Sequence, residues 1–529
     1  MSDADVIVIG TGMGGATFGH ALARQGRRVL FLEKGHDRFT NPAVIDGEFA
    51  ENRLPRVPPT PAERTTCYRN AGRYTEEIAD LAHGGRTMIP FIGTGVGGSS
   101  GLYGAGLSRF ARDDFRPRGN FPDALDAALP AAWPIDYDDL EPHYAAAEKL
   151  YEVAGEADPF LPDTDFSHYR EPPPMSRSAA EVFEYLRVRG LKPYRLPIAC
   201  EPTRDCAGCT GFLCPRSCKR DAGTVCLKPA LTQYGANLLA DCEVLRLETT
   251  GQRVTGVVAR QDGREVTLRA PLVALAAGGL ESPRILLNSH SPAYPSGLAN
   301  MSGLVGRHLM RHYVDVYLLQ PKVSADWHGN PKEIAFNDYC FQGSDRLGIA
   351  HSAGNPVDPD VVFTEMHTQM ARYPGGALLG NLLRPLLRPA IRRHLQGKLF
   401  MFSIMEDLPY PENYVRPAPG DPARLELNYE IQAHDRARIA RFRTVLLDLF
   451  KPYKPALLKR AEANDMLAHV CGTCRMGDDP GTSVVDRWNR AHGLDNLYIV
   501  DASFFPSSSA AHPSLTIAAN SLRVAAHLA

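Results

Sequence analysis

Three groups of residues in this chain have types and spacings that chemistry could use. The first is Gly10-Thr11-Gly12-Met13-Gly14-Gly15, a G-x-G-x-x-G, with Glu33 at the end of the next apolar run. Gly10 permits a tight turn, Gly12 lets backbone approach a pyrophosphate, and Gly15 lets a helix pack closely on a strand. The pyrophosphate then rests on the helix N-terminus, where unpaired N–H groups and the dipole favour anions. A carboxylate at Glu33 can accept from ribose hydroxyls and would repel the 2′-phosphate of NADP. NAD and FAD proteins share this fingerprint, so other residues must separate them.

The second group is Gly95-Val96-Gly97-Gly98-Ser99-Ser100, too glycine-rich for a plain connector and able to let backbone pass close to a flat ring system. Asp501-Ala502-Ser503 belongs with it. It follows an apolar run and places a carboxylate at a strand terminus, the edge where open α/β sheets bind ligands.

The third group is the cysteines Cys200, Cys206, Cys209, Cys214 and Cys218, with Cys226 just beyond. Zinc usually requires two C-x-x-C knuckles, and only Cys206–Cys209 has that spacing. Irregularly spaced thiolates can hold an iron–sulfur cluster. The third reading, adopted here, is a structural loop with free thiols or one or two disulfides and no metal. No H-E-x-x-H pattern occurs.

Elements must position these residues. Asp5–Ile9 is a short run of β-branched residues, the mark of a buried parallel strand. Ala16–Gln25 suits a helix, and Arg28–Leu32 a second strand. Residues 40–90 are rich in Pro and Arg and read as irregular. Leu140–Val153 reads as a helix. Residues 236–277 alternate as an antiparallel meander, and Leu272–Ala277 as a buried strand ending at Gly278-Gly279. Residues 380–397 are basic and helical, with Pro385 and Pro389. A solvated helix or lid near a pocket is favoured there over a membrane-surface helix. Leu497–Val500 is a strand, and Pro513 opens a closing helix at the position where its missing N–H costs nothing.

The bulk numbers set the frame. A chain of 529 residues with 44% hydrophobic and 22% charged content suits a two-domain globular protein. A net charge of −2 gives no field for phosphate backbones, so no nucleic-acid partner is expected. No run approaches the ~18–20 apolar residues of a membrane span. The opening Met1-Ser2-Asp3-Ala4-Asp5 lacks signal-peptide features, and an odd count of 11 cysteines suits free thiols. The expected location is the cytoplasm.

Four ordered blocks carry a resemblance. They are Gly95–Ser100, Gly278-Gly279-Leu280-Glu281-Ser282-Pro283, His469-Val470-Cys471-Gly472-Thr473-Cys474-Arg475-Met476-Gly477, and Asp501-Ala502-Ser503 through His512-Pro513. With the glycine fingerprint they resemble, from end to end, the glucose–methanol–choline (GMC) oxidoreductase family in its gluconate/pyranose-type bacterial branch. The resemblance implies FAD. Gly10, Gly12, Met13, Gly14, Gly15 and Glu33 would hold the ADP half, with the Val244 backbone near the adenine. Gly97, Gly98, Ser99 and Ser100 would lie near the isoalloxazine, and Asp501 and Ala502 near the ribityl or pyrophosphate region. Pro513, Ser514 and Leu515 would aim the final helix at the pyrimidine ring. Some members attach FAD through a histidine in the first signature. Gly101 and Leu102 follow the serines here, so non-covalent FAD is expected.

The same resemblance assigns catalysis to His469 as general base and His512 as the substrate-orienting partner, a pairing that suits hydride transfer from carbon to flavin N5. Many relatives of the Cys-Arg-Met-Gly type carry Asn at the second position. His308 and His312 fall in a segment resembling a structural part of the family. Cys209, Cys214 and Cys218 resemble the cysteine run of iron–sulfur sugar dehydrogenase subunits, without their adjacent cysteine pair.

The implied fold is α/β. A doubly wound, Rossmann-like FAD-binding domain is built from 1–40, 90–115, 220–310 and 465–529. An antiparallel-sheet substrate domain is built from 41–89, 116–219 and 311–464. The implied reaction is oxidation of a CH–OH group, with a sugar, glycoside or polyol preferred and oxygen or another acceptor taking the electrons. Oxidation of aromatic or aliphatic alcohols, an iron–sulfur electron-transfer subunit and a flavin-dependent lyase are the alternatives.

Overall fold

The computed structural model describes residues 4–529 apart from 56–57, 204–205, 207, 324–331, 342–345, 354–357, 372 and 464–466. Residues 1–3 of the N-terminal reading, and the expected boundary at 464–465, lie outside the described residues.

The β-branched runs form a parallel sheet of five strands, in the order Leu497–Ile499, Leu272–Leu275, Val6–Ile9, Val29–Leu32 and Asn237–Leu239. Val6–Ile9 and Val29–Leu32 are buried along their whole length. That is why they read as continuous apolar runs and not as alternating ones. The first helix runs Met13–Arg24, starting earlier than Ala16 because Gly14 and Gly15 belong to its first turn. The closing helix is Pro513–His527 with Pro513 at its start. The two pack on each other, and the closing helix also packs on Tyr137–Leu150. Trp133, Tyr137, Leu140, Tyr144 and Tyr151 therefore sit in the core of the parallel sheet, although their segment was expected to belong with the substrate domain.

Of the expected meander, Cys242–Thr250, Arg253–Gln261 and Arg264–Leu268 pair antiparallel, while Asn237–Leu239 joins the edge of the parallel sheet.

A second sheet has six strands, all paired antiparallel, in the order Ala456–Lys459, His312–Leu319, Leu399–Glu406, Ile349–Ala353, Ile334–Phe336 and Tyr194–Arg195. It packs its own core around Tyr313, Tyr317, Phe336, Met401 and Phe442. His312 opens its strand opposite Glu406, the last residue of the neighbouring one.

Residues 40–90 are more regular than expected. Thr60, Pro61 and Glu63 form a capping box with Pro at the first turn and start a helix, Pro61–Asn70. Ile78–Asp80 and Arg86–Met88 join Tyr414–Ala418 and Asp421–Asn428 in a four-stranded sheet.

The basic segment near 380–397 is a helix, Gly376–Leu395, packed on the helix Pro359–Met370. Val361, Val362 and Met366 of that second helix line the central cavity. The outer helix ends in Arg392, Arg393 and His394, which favour its C-terminal dipole. It leaves Leu378, Leu382 and Leu386 exposed. Among the described residues no helix is long and apolar enough to cross a membrane.

Candidate active site

A cavity of about 1060 Å³ runs from the parallel sheet to the end of the antiparallel sheet. The glycine loop forms one wall. Gly10 has φ +98°, and a Cβ on it would lie 2.4 Å from Ala276 O. A Cβ on Gly14 would lie 2.0 Å from Val500 O, and one on Gly15 2.1 Å from Gly10 O. These glycines exist so that helix and strands can touch. Gly12 is different, because a Cβ there would meet only Gly98 Cα, at 4.0 Å. It faces the cavity and has no packing reason to be glycine, as a position reserved for close approach of a pyrophosphate would require.

Glu33 ties the two glycine loops together. Its Oε2 accepts from Thr11 N at 3.1 Å and Thr11 Oγ1 at 2.5 Å, and its Oε1 from Gly35 N at 3.0 Å and Gly95 N at 2.9 Å. The sequence suggested a ribose acceptor. In the structure the carboxylate's acceptor positions are used by the chain itself, which fixes the shape of the cradle.

In the second loop, Gly97 and Gly98 have φ +93° and +51°. Ser99 Oγ accepts from Gly93 N, and Ser100 Oγ donates to Gly97 O and accepts from Ala222 N. Asp501 Oδ2 accepts from Gly278 N at 2.8 Å and from Ser282 Oγ, and its Oδ1 from Ser503 N. That carboxylate thus joins the Gly278 block to the C-terminal block.

Of the expected cofactor residues, Gly10, Gly12, Met13, Gly14, Glu33, Gly98, Ser99, Ser100, Val244, Asp501, Ala502, Pro513 and Ser514 line the cavity. Gly15, Gly97 and Leu515 stand behind its wall. This lining suits a dinucleotide, since two glycine turns, a helix N-terminus and Val244 surround one continuous space.

The histidines meet at the far end. His469 opens onto the cavity and has φ +57°, an unusual backbone state for a non-glycine residue and one often found at functional sites. It is held by reciprocal backbone bonds between Met310 and Cys471, at 3.1 and 3.0 Å. Gly472, at φ +86°, lets the loop pass Met310 and His308. His512 is the N-cap residue of the closing helix and lies behind the wall, against Gly106. Its Nε2 is 2.7 Å from Lys332 Nζ and its Nδ1 3.4 Å from Ser108 Oγ.

Sequence reasoning missed Lys332 and His351, whose ring centroid is 5.1 Å from that of His512. It placed His312 with His308 in a structural segment. In the structure His308 is buried beside Gly472, whereas His312 Nδ1 lies 3.0 Å from His469 Nδ1. No local motif marks these residues, because the strands of the antiparallel sheet bring them in from distant segments.

Burial dominates the electrostatics. It holds His469, His512 and His351 well below the usual imidazole value, reinforced by neighbouring His and Lys332 charges. His312 is pushed down to about 4 and the Lys332 amine to about 7, both by burial. The cluster is a set of neutral imidazoles that can take a proton when a nearby group gives one up.

The cysteine loop borders the cavity through Thr210 and Gly211. All eleven cysteines are free thiols. Cys218 Sγ lies 3.4 Å from Cys214 Sγ and 3.7 Å from Cys206 Sγ. Lys219 Nζ anchors the loop by donating to Cys209 O and Phe212 O. Among the described residues no group of three or more His, Cys, Asp or Glu is placed to hold a metal ion.

A parallel sheet with this glycine cradle, beside an antiparallel sheet, is the architecture of a dinucleotide-binding protein. Comparison with known proteins makes the class specific. Two family models described as GMC oxidoreductase match residues 192–314 and 409–521, and a model of an NAD(P)-binding Rossmann-like domain matches 8–41. The chain is 29% identical to 6'''-hydroxyparomomycin C oxidase of Streptomyces lividus, over 99% of this chain and 92% of that one. It is 27% identical to 2-methyl-1,2-propanediol dehydrogenase of Mycolicibacterium austroafricanum, over 98% and 94%. Its fold resembles that of pyridoxine 4-oxidase from Mesorbium loti, with a TM-score of 0.64 at 20% identity and 99% coverage of both chains. The chain belongs to the GMC oxidoreductase family.

Proposed function

We propose that this protein oxidises a CH–OH group of a sugar, glycoside or polyol, using non-covalently bound FAD and His469 as general base. The observation that carries the proposal is His469, a neutral imidazole on a left-handed backbone position that opens onto the same cavity as the Gly12 cradle. Relatives named for an aminoglycoside and for a diol support the substrate class.

FAD, when bound, supplies the hydride acceptor at its N5. The chain supplies the rest. Gly10–Gly15 and the Glu33-braced loops would receive the ADP half, and the Val244 backbone would flank the adenine. Gly98, Ser99 and Ser100 would face the isoalloxazine, with Asp501, Ala502, Pro513, Ser514 and Leu515 behind it at the helix N-terminus. His469 would take the hydroxyl proton. His512, behind the cavity wall with Lys332 at its Nε2 and Ser108 at its Nδ1, would brace the substrate end of the cavity rather than meet the substrate oxygen itself. Segments 1–40, 90–115, 220–310 and 465–529, joined by residues 133–151, would act as the cofactor half and the rest of the chain as the substrate half.

Non-covalent attachment is supported by the loop after Ser100. It offers Gly101, Leu102 and Tyr103, whose hydroxyl is already donated to Arg220 O. Acid precipitation should therefore release all the flavin, and flavin retained in the pellet would refute this point.

The test of function is anaerobic mixing with a panel of sugars, glycosides, polyols and aromatic alcohols, followed by admission of air to identify the acceptor. Wild-type flavin should bleach with a member of the first three classes. His469→Ala should bind FAD normally and bleach on the order of 10²–10⁴-fold more slowly. Bleaching at the wild-type rate would sink the base assignment.

A further inference from the structure

We infer that His312 is a positioning residue that fixes the tautomer of His469 and leaves Nε2 of His469, the ring nitrogen away from His312, as its basic nitrogen. The inference rests on the reading of His469 as base and adds the group that aims it.

His312 Nε2 lies 3.3 Å from Ser508 O, and a carbonyl can only accept, so the hydrogen belongs to His312 Nε2. A neutral imidazole has one N–H and one bare nitrogen, so His312 Nδ1 is bare. Its burial keeps it neutral. His469 Nδ1 stands 3.0 Å from that bare nitrogen, and two lone pairs cannot share such a contact, so His469 Nδ1 carries the hydrogen and donates it. The remaining nitrogen of His469, Nε2, is the lone pair available to a substrate hydroxyl.

Ser508 is fixed well enough to make this selection. Its Oγ donates to Asp407 O at 2.9 Å and accepts from Asp407 N at 3.1 Å, and Ser509 N donates to Glu406 Oε1 at 3.1 Å. Glu406 is also the register partner of His312 across the antiparallel sheet. The carbonyl, the relay imidazole and the strand end are therefore one rigid unit.

The choice of imidazole has a physical consequence. An orienting carboxylate would place a charge beside the base and raise its pKa. His312 orients His469 without that charge. The other titratable groups of the cluster, Lys332, His351 and His512, oppose protonation of this end of the cavity. His469 is thus held unprotonated and correctly turned before substrate arrives.

The test uses the holoenzyme labelled with ¹⁵N-histidine, with the His469 signals assigned by their loss in His469→Ala. Two-bond ¹⁵N–¹H spectra should show a protonated Nδ1 and a bare Nε2 for His469. His312→Phe keeps the volume but offers no acceptor. It should populate the Nε2–H form of His469 and slow flavin reduction on the order of 10²-fold, with FAD content and substrate affinity unchanged. His312→Gln can donate to Ser508 O and accept from His469, and it should restore both the tautomer and most of the rate.

A wild-type His469 protonated at Nε2 would overturn the inference, even if His312→Phe does not fold. So would a His312→Phe enzyme with unaltered tautomer and rate, or a His312→Gln enzyme as slow as His312→Phe. A wild-type rate in His469→Ala would instead remove the base assignment and leave the tautomer result standing.

Discussion

Lys332 Nζ lies 2.7 Å from His512 Nε2, so the imidazole expected to orient the substrate is itself held by a buried amine. Burial pushes that amine down to about 7. The unfolded chain would hold the proton up to a pKa of about 10.4. Between roughly pH 7 and 10.4 the unfolded state therefore binds more protons, and stability rises with pH in that window.

Replacing the amine removes this dependence. Lys332→Met should raise the melting temperature most at or below pH 7, and the gain should shrink as pH approaches 10. Melting curves at pH 6, 8 and 10 check the sign. The kcat/KM profile should also lose an inflection near pH 7. A constant difference in melting temperature across the range would show that Lys332 does not titrate as described.

The glycine loop offers a paired comparison. Gly12→Ala meets only Gly98 Cα, at 4.0 Å, so the apoprotein should fold with its stability within about 0.5 kcal/mol of wild type. FAD affinity should fall at least about tenfold, or ~1.4 kcal/mol, because the methyl group occupies the pyrophosphate approach. Gly14→Ala drives a methyl to 2.0 Å from Val500 O and should cost about 3 kcal/mol of folding stability. Urea titration of apoprotein and fluorescence titration with FAD separate the two effects. Equal FAD affinity for Gly12→Ala and wild type would mean that the cradle is used otherwise.

The cysteine loop should show one reactive thiol. Hydrogen bonds from Cys209 and Cys218 pull Cys214 below the ordinary thiol value, and Cys214 is only partly buried. Burial pushes Cys226 up to about 12 and Cys67 and Cys242 to about 11. At pH 7 a maleimide should modify Cys214 first, since the thiolate is the nucleophile, and Cys214→Ser should abolish the fast phase. Peptide mapping that places the first label elsewhere contradicts this.

Sequence and structure agree where the constraint is local. The demands on Gly10, Gly14 and Gly15 are set by backbone within a few ångströms, and the buried strands by continuous apolar runs. His469 and His512 are legible because each is embedded in a distinctive block. Lys332, His312 and His351 are not, because strand register between distant segments brings them to the cluster. Glu33 shows a subtler gap. Its position at a strand end predicted a ligand contact, while its bonds to Thr11, Gly35 and Gly95 depend on where a second loop lies. The capping box at Thr60–Glu63 was present in the sequence, but the surrounding Pro and Arg residues obscured it. Tyr137, Tyr144 and Tyr151 sit in the parallel-sheet core because the closing helix, far along the chain, provides their partner surface.

The outermost strand of the parallel sheet, Leu497–Ile499, and the helix Pro513–His527 complete a nucleotide cradle whose first wall, Val6–Arg24, is among the earliest parts of the chain. Asp501 and Ser514 can face that first wall only after the long stretch of chain between Arg24 and Asp501 has been made. No early fragment presents a whole binding surface, so the nascent chain cannot be stabilised by its ligand as it emerges. Cofactor loading at this cradle would then report the docking of the Asp501–Ser514 block on Val6–Arg24.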